Sequence, residues 1–132
     1  MLECLILGDS IAVGIAQHRP ECESYAKVGI TSHNWNLTYN KIDTGAKTVV
    51  ISLGSNDWNA DQTLKEITKL RNRIPEGSQV FWILPANNHN MQEAVYNIAS
   101  DFRDGVLGIQ NLSKDKVHPT AKEYKRLANI TK

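Results

Sequence analysis

Thr48-Val49-Val50-Ile51-Ser52-Leu53-Gly54-Ser55-Asn56-Asp57 is the stretch whose reading decides the fold. Its first six residues are β-branched or apolar almost without a break, as in a strand buried on both faces. The run ends at a glycine and a cluster of short polar residues, which mark a turn. A strand covered on both faces needs helices on each side of its sheet and parallel neighbours reached by crossovers. The rest of the chain supplies both.

Upstream, Leu2 to Leu7 reads as another buried strand, ending at Gly8-Asp9-Ser10. Ile11 to His18 follows as a short helix with Ile11, Ile15 and Ala16 inward, and Arg19-Pro20 stops it. Ser24 to Val28 is a shorter, less apolar strand nearer an edge, closed by Gly29. Thr31 or Ser32 caps a helix carrying Trp35, Tyr39 and Ile42. Downstream, Asn59 with Gln62 resembles a capping box ahead of Leu64, Ile67, Leu70 and Ile74. Val80 to Leu84 is a further buried strand. Asn90 with Glu93 opens a helix striped by Met91, Val95, Ile98 and Phe102. Val106 to Ile109 forms a weak fifth strand. Thr120 with Glu123 starts a last helix whose Tyr124, Leu127 and Ala128 face inward.

This alternation predicts a single domain over residues 1–132. Its fold is an α/β class, three-layer α/β/α sandwich on a parallel, flavodoxin-like sheet of about five strands. Ligands of such sheets bind beyond the carboxyl ends of the strands, where strand order reverses. Ser10 and Asn56 stand at that edge, after the first and third strands.

Composition narrows the function. A formal net charge of +1 disfavours nucleic acid, whose phosphates call for clustered Lys and Arg. Lys122, Lys125, Arg126 and Lys132 read as a solvated helix face. No apolar segment approaches the roughly 20 residues of a bilayer span, so no membrane partner is expected. The apolar start lacks a basic n-region, so no signal peptide is evident. The expectation is a soluble protein, cytoplasmic or part of an assembly. No His/Cys/Asp cluster has ligand spacing, so neither metal nor cofactor is expected. Cys4, in an apolar strand, reads as a buried reduced thiol. Cys22 precedes its own turn by a similar interval, which leaves a disulfide between adjacent strands as the alternative.

Gly8-Asp9-Ser10 alone reads as a strand-to-helix turn with Ser10 as the N-cap. It is neither the G-x-S-x-G elbow nor a phosphate loop, since Gly8 to Gly14 contains no lysine. Three other blocks change that reading: Gly29, Gly54-x-Asn56-Asp57, and Asp115-x-x-His118-Pro119. Together and in this order they resemble the sequence blocks of the SGNH (GDSL-type) hydrolases, over nearly the whole chain.

The resemblance implies a serine esterase. Ser10 is its nucleophile, His118 its general base and then acid, and Asp115 holds the imidazole. It also implies an oxyanion hole made by the backbone N–H groups of Ser10 and Gly29 and the side-chain amide of Asn56. A bare Cα at Gly29 admits close approach of substrate. The interval from Ser10 to Gly29 is only 19 positions, compressed for the family, and no insertion is long enough for a lid. An open, shallow site disfavours long acyl chains.

The loops around Ser10 carry Trp35, Trp58, Asn59, Asn87, Asn88, His89 and Asn90. Tryptophan faces with amides suit sugar rings, so a small-molecule or carbohydrate ester, of acetyl type, is the expected partner. Possible substrate-binding residues are Asp9, Trp58, Asn87 and His89, although Asp9 also serves to order the turn and His89 reads as an exposed loop histidine. His18 and His33 carry no constellation. Two other readings of the same residues are a non-catalytic carbohydrate-binding module and an O-acyltransferase.

Overall fold

The computed structural model describes residues 1–132. Five strands and five helices alternate along the chain: β1 Leu2–Gly8, α1 Ser10–Ala16, β2 Glu23–Ala26, α2 Ser32–Thr38, β3 Ala46–Ser52, α3 Ala60–Arg71, β4 Gln79–Ile83, α4 His89–Phe102, β5 Gly105–Leu107 and α5 Ala121–Ile130. The strands form one sheet in the order β2-β1-β3-β4-β5, and every pairing is parallel. This is the expected flavodoxin-like order, with its reversal at β1 and β3.

Alternation of side chains along the buried strands divides the core into two layers. Leu5, Leu7, Val49, Ile51, Val80 and Trp82 pack on one face against Trp35, Ile67, Leu70, Val95 and Ile98 from α2, α3 and α4. Ile6, Val50 and Ile83 point the other way, onto Ile11, Ile15, Leu127 and Ala128 of α1 and α5. Hence β1 and β3 carry apolar residues at consecutive positions, and the sandwich has three layers.

Asp9, rather than Ser10, is the N-cap of α1, accepting the Ile11 N–H at 3.0 Å. Asn88, rather than Asn90, caps α4, accepting from Met91 at 3.4 Å. Thr31, Asn59 and Thr120 cap α2, α3 and α5 as their sequences indicate. Glu123 does not close a capping box. Its carboxylate instead takes Arg126 and the Gln110 N–H, while the Thr120 N–H goes to the Asn111 carbonyl.

Cys4 and Cys22 are joined in a disulfide, their Cα atoms 4.9 Å apart, which overturns the reduced-thiol expectation. The parallel pairing of β1 with β2 brings the start of β2 beside β1, with Leu5 opposite Glu23. That register places Cys4 next to Cys22. Closing a loop of this length contributes about 3 kcal/mol through the unfolded chain. No helix is long and apolar enough to cross a membrane.

Candidate active site

The turn after β1 is fixed by backbone contact. A Cβ on Gly8 would lie 1.9 Å from the Ser52 carbonyl oxygen, and the residue has φ +141°. The Asp9 N–H donates to that same carbonyl at 2.9 Å. Only glycine lets β1 lie this close to the end of β3, and Ser10 is thereby set on the first turn of α1. Because Asp9 does the capping, the Ser10 hydroxyl is free for another partner.

That partner is His118, whose Nε2 lies 2.8 Å from Ser10 Oγ. The histidine stands on a loop drawn closed by the Leu112–Pro119 bridge and by the Ser113 N–H donating to the His118 carbonyl at 2.8 Å. Within this loop one Asp115 oxygen accepts from the Ser113 hydroxyl and the Val117 and His118 N–H groups, each at 2.9 Å. Its other oxygen meets His118 Nδ1 at 2.6 Å.

The His118 N–H, the imidazole, the Val117 N–H and Ser113 together hold the Asp115 carboxyl well below the usual carboxylate range. An ionised Asp115 only accepts, so the proton sits on Nδ1. Nε2 then accepts from the Ser10 hydroxyl. The three sequence-predicted residues form one hydrogen-bonded chain.

Gly29 occupies the turn from Lys27 to Ile30, with φ +80° and the Ile30 N–H donating to the Lys27 carbonyl at 3.3 Å. This is the third position of a type II turn, which requires a left-handed backbone. A Cβ there would meet nothing within 4 Å. The turn thus explains the glycine, which the sequence alone assigned to close approach of substrate. The Gly29 N–H makes no hydrogen bond within the protein. One Asn56 amide proton goes to the Ile30 carbonyl at 3.1 Å, which orients the amide and leaves its second N–H unspent. The Ser10 N–H, on the first residue of α1, has no partner within the helix.

Asp57 is a structural residue that the sequence showed only as part of a turn. Its carboxylate accepts the Ser32 N–H at 3.0 Å, the Ser32 hydroxyl at 2.5 Å and the Thr63 hydroxyl at 2.6 Å. It thereby locks the β3–α3 loop onto the start of α2.

Asp9 does not touch substrate, since it is completely buried. One of its oxygens takes the Ile11 N–H and the Ser52 hydroxyl, and the other has no partner. Burial pushes its carboxyl up from 3.8 to about 6. In that interval the folded protein keeps a proton that the unfolded chain has released. The group's contribution to stability is therefore fullest below the unfolded value and is lost as pH rises to about 6. The loss amounts to about 3 kcal/mol. Asp9→Asn is expected to remove this slope. Denaturant unfolding of both proteins between about pH 4 and 7 checks it, and parallel curves would refute the assignment.

The remaining expected contacts divide. Trp35 is buried in the core, its indole N–H donating to the Tyr25 carbonyl at 2.9 Å. Asn59 and Asn88 are spent as helix caps, and Asn87 donates to the Ser55 carbonyl at 3.2 Å. His89 is exposed, with Glu93 3.8 Å away. Trp58 is open to solvent. His33, read as carrying no constellation, is paired at 2.6 Å with the buried Glu66. These two residues come together only through the packing of α2 on α3, and no sequence signal joins them.

A larger cavity of about 610 Å³ opens at the opposite end of the sheet, where β4 and β5 begin. Its buried Arg71 is already paired with Asp104 and stacked on Phe102, so we assign the site to the carboxyl edge.

No family model and no curated protein matches this chain. Solved structures do. A candidate acylhydrolase from Bacteroides fragilis superposes with a TM-score of 0.70 at 16% identity, over 96% of this chain and 83% of that one. A member of the lipolytic protein G-D-S-L family from Veillonella parvula gives 0.69 at 13% identity, over 98% and 95%. The C-terminal catalytic domain of a Streptococcus pneumoniae peptidoglycan O-acetyltransferase gives 0.59 at 18%, over 98% and 92%. The chain has the SGNH (GDSL-type) hydrolase fold.

Proposed function

We propose that this protein is a serine esterase that hydrolyses short-acyl esters, acetyl esters foremost. The observation that carries the reading is the hydrogen-bonded chain from Ser10 through His118 to Asp115, at 2.8 and 2.6 Å. Ser10 Oγ attacks the ester carbonyl as its proton passes to His118 Nε2, and Asp115 stabilises the imidazolium. The oxyanion that forms takes hydrogen bonds from the Ser10 and Gly29 N–H groups and from the free N–H of Asn56. When the carbon–oxygen bond to the alcohol breaks, His118 returns the proton to the leaving alcohol. Water, deprotonated by His118, then attacks the acyl-Ser10 ester; the bond to Ser10 Oγ breaks, His118 returns the proton to that oxygen, and the acid leaves. No metal or cofactor is needed for any step.

The side chains of His118 and Asp115 are 40% and 50% exposed. The loop that carries them is therefore open to water, as hydrolysis of the acyl intermediate requires. Acyl transfer, the activity named for the Streptococcus pneumoniae domain, is the second reading, and the openness of the site favours hydrolysis over it.

The test is a serine-directed phosphonate applied with p-nitrophenyl acetate as substrate. Covalent mass on Ser10, with loss of turnover in step, is expected. Unlabelled Ser10 would sink the esterase reading and leave a carbohydrate-binding module on this scaffold. Faster acyl transfer to an added sugar than release to water would favour the transferase.

Asn56→Ala is expected to lower kcat about 10²–10³-fold. Its stability should fall only by the roughly 1 kcal/mol of one hydrogen bond, the one to Ile30. Steady-state kinetics beside a denaturant melt distinguish the two effects.

A further inference from the structure

A cleft of about 220 Å³ lies between the start of α2 and the β3–α3 loop, lined by His33, Asn34, Asp57, Trp58 and Gln62 among others. Gly29 and Asn56 stand just before its walls on the same two loops, and the Asn56–Ile30 hydrogen bond ties those loops together. The cleft therefore adjoins the donors proposed for the oxyanion.

Its walls have an unusual division of labour. Trp58 is 81% exposed, and a single exposed aromatic side chain would by itself mean little. The same cleft is lined by His33, whose Nδ1 is held at 2.6 Å by Glu66. Glu66 is 5% exposed at its side chain and also accepts the Asn36 amide at 2.9 Å. Burying a carboxylate is costly unless it is paired. Here the pairing fixes the plane and tautomer of an imidazole whose Nε2 is left without a protein partner. The side-chain amides of Asn34 and Gln62 also make no hydrogen bond within the protein, because both residues engage their caps through backbone N–H groups. Asp57 already accepts three hydrogen bonds from Ser32 and Thr63, so its oxygens are largely taken by protein donors.

One apolar face, an oriented ring nitrogen and two free amides match a molecule with a C–H face and a rim of hydroxyls that both donate and accept. A fatty chain would find a single apolar wall. An anionic group would find no Lys or Arg in the lining. The volume falls below the roughly 300–1,000 Å³ of drug-sized pockets, which leaves room for one ring. We propose that this cleft seats a single neutral pyranose ring, stacked on Trp58 and directed by His33, as the alcohol half of the ester. That last assignment rests on the esterase reading. Glu66 acts through His33 and is a positioning residue.

Two readouts test it. In the first, kcat/KM for a monoacetylated glucose is divided by that for ethyl acetate, which has no ring, in wild type, Trp58→Ala and His33→Phe. The ratio is expected to fall about tenfold in each variant, through KM. In the second, methyl β-glucoside is titrated into isotope-labelled protein while the Trp58 indole N–H resonance is followed. A saturable shift, weakened in His33→Phe, is expected. An unchanged ratio with no indole shift overturns the proposal even when Ser10-dependent turnover of ethyl acetate is intact. Absence of Ser10-dependent turnover with a saturable indole shift overturns the esterase reading and keeps the cleft as a sugar site.

Discussion

Ser10→Ala is expected to reduce ester turnover by about 10⁴–10⁶-fold while leaving the protein folded. The size of the loss follows from the proposed chemistry, in which Ser10 Oγ forms the covalent intermediate and no neighbouring group replaces it. The mildness of the structural effect follows from the division of work at the turn. Asp9 supplies the cap of α1 and Gly8 supplies the close approach to Ser52, so the hydroxyl's one side-chain partner is His118. Removing one part-buried hydrogen bond costs about 1 kcal/mol, and alanine is a good residue for a helix start. Hydrolysis of p-nitrophenyl acetate measured beside a thermal melt checks both halves. Equal turnover by variant and wild type, once the spontaneous rate is subtracted, would end the nucleophile assignment.

Asp115→Asn carries the second large effect, a fall in kcat of about 10⁴-fold with KM little changed. An asparagine there keeps the shape of the loop, since one oxygen still accepts from the Val117 and His118 N–H groups. The other atom becomes an N–H₂ group facing His118 Nδ1. The imidazole answers by moving its proton to Nε2, where it no longer accepts from Ser10. The loss is therefore one of tautomer rather than of fold, and retained melting with retained KM is its signature. The Asp115 carboxyl lies well below the usual carboxylate range, held there by the His118 backbone and side chain, Val117 and Ser113. It thus stays ionised under mildly acidic assay conditions. A variant with undiminished kcat would show that Asp115 serves only the loop.

The fold was legible because the strands are buried on both faces. Continuous apolar runs at Leu5 to Leu7 and Val49 to Ile51 leave no alternative to parallel pairing under two helical layers, and the sheet has that form. Ser10, Asp115 and His118 were legible as blocks in order, and they meet in space. What escaped the sequence depended on partners far along the chain. The similar intervals of Cys4 and Cys22 from their turns leave a disulfide only as the alternative, and it is the register of β1 with β2 that decides it. Asp9 looks like a polar loop residue, and only the packing of β3 beneath it creates a carboxyl with one orphaned oxygen. His33 and Glu66 each sit on an amphipathic helix at unremarkable positions, and their pairing is a product of tertiary packing. Local signals also misplaced caps by one or two residues, because asparagine, serine and aspartate compete for the same role within a few positions of each other.

The 108 positions between Ser10 and His118 have a consequence for the order in which the molecule comes into being. β1 is an inner strand, paired with both β2 and β3, so Ser10 is seated by the sheet itself. The loop bearing Asp115 and His118 arrives after the last strand, and α5 then closes over α1. Contacts so far apart along the chain close late, because loop-closure entropy opposes them. The sheet is therefore expected to form ahead of the contact between Ser10 and His118.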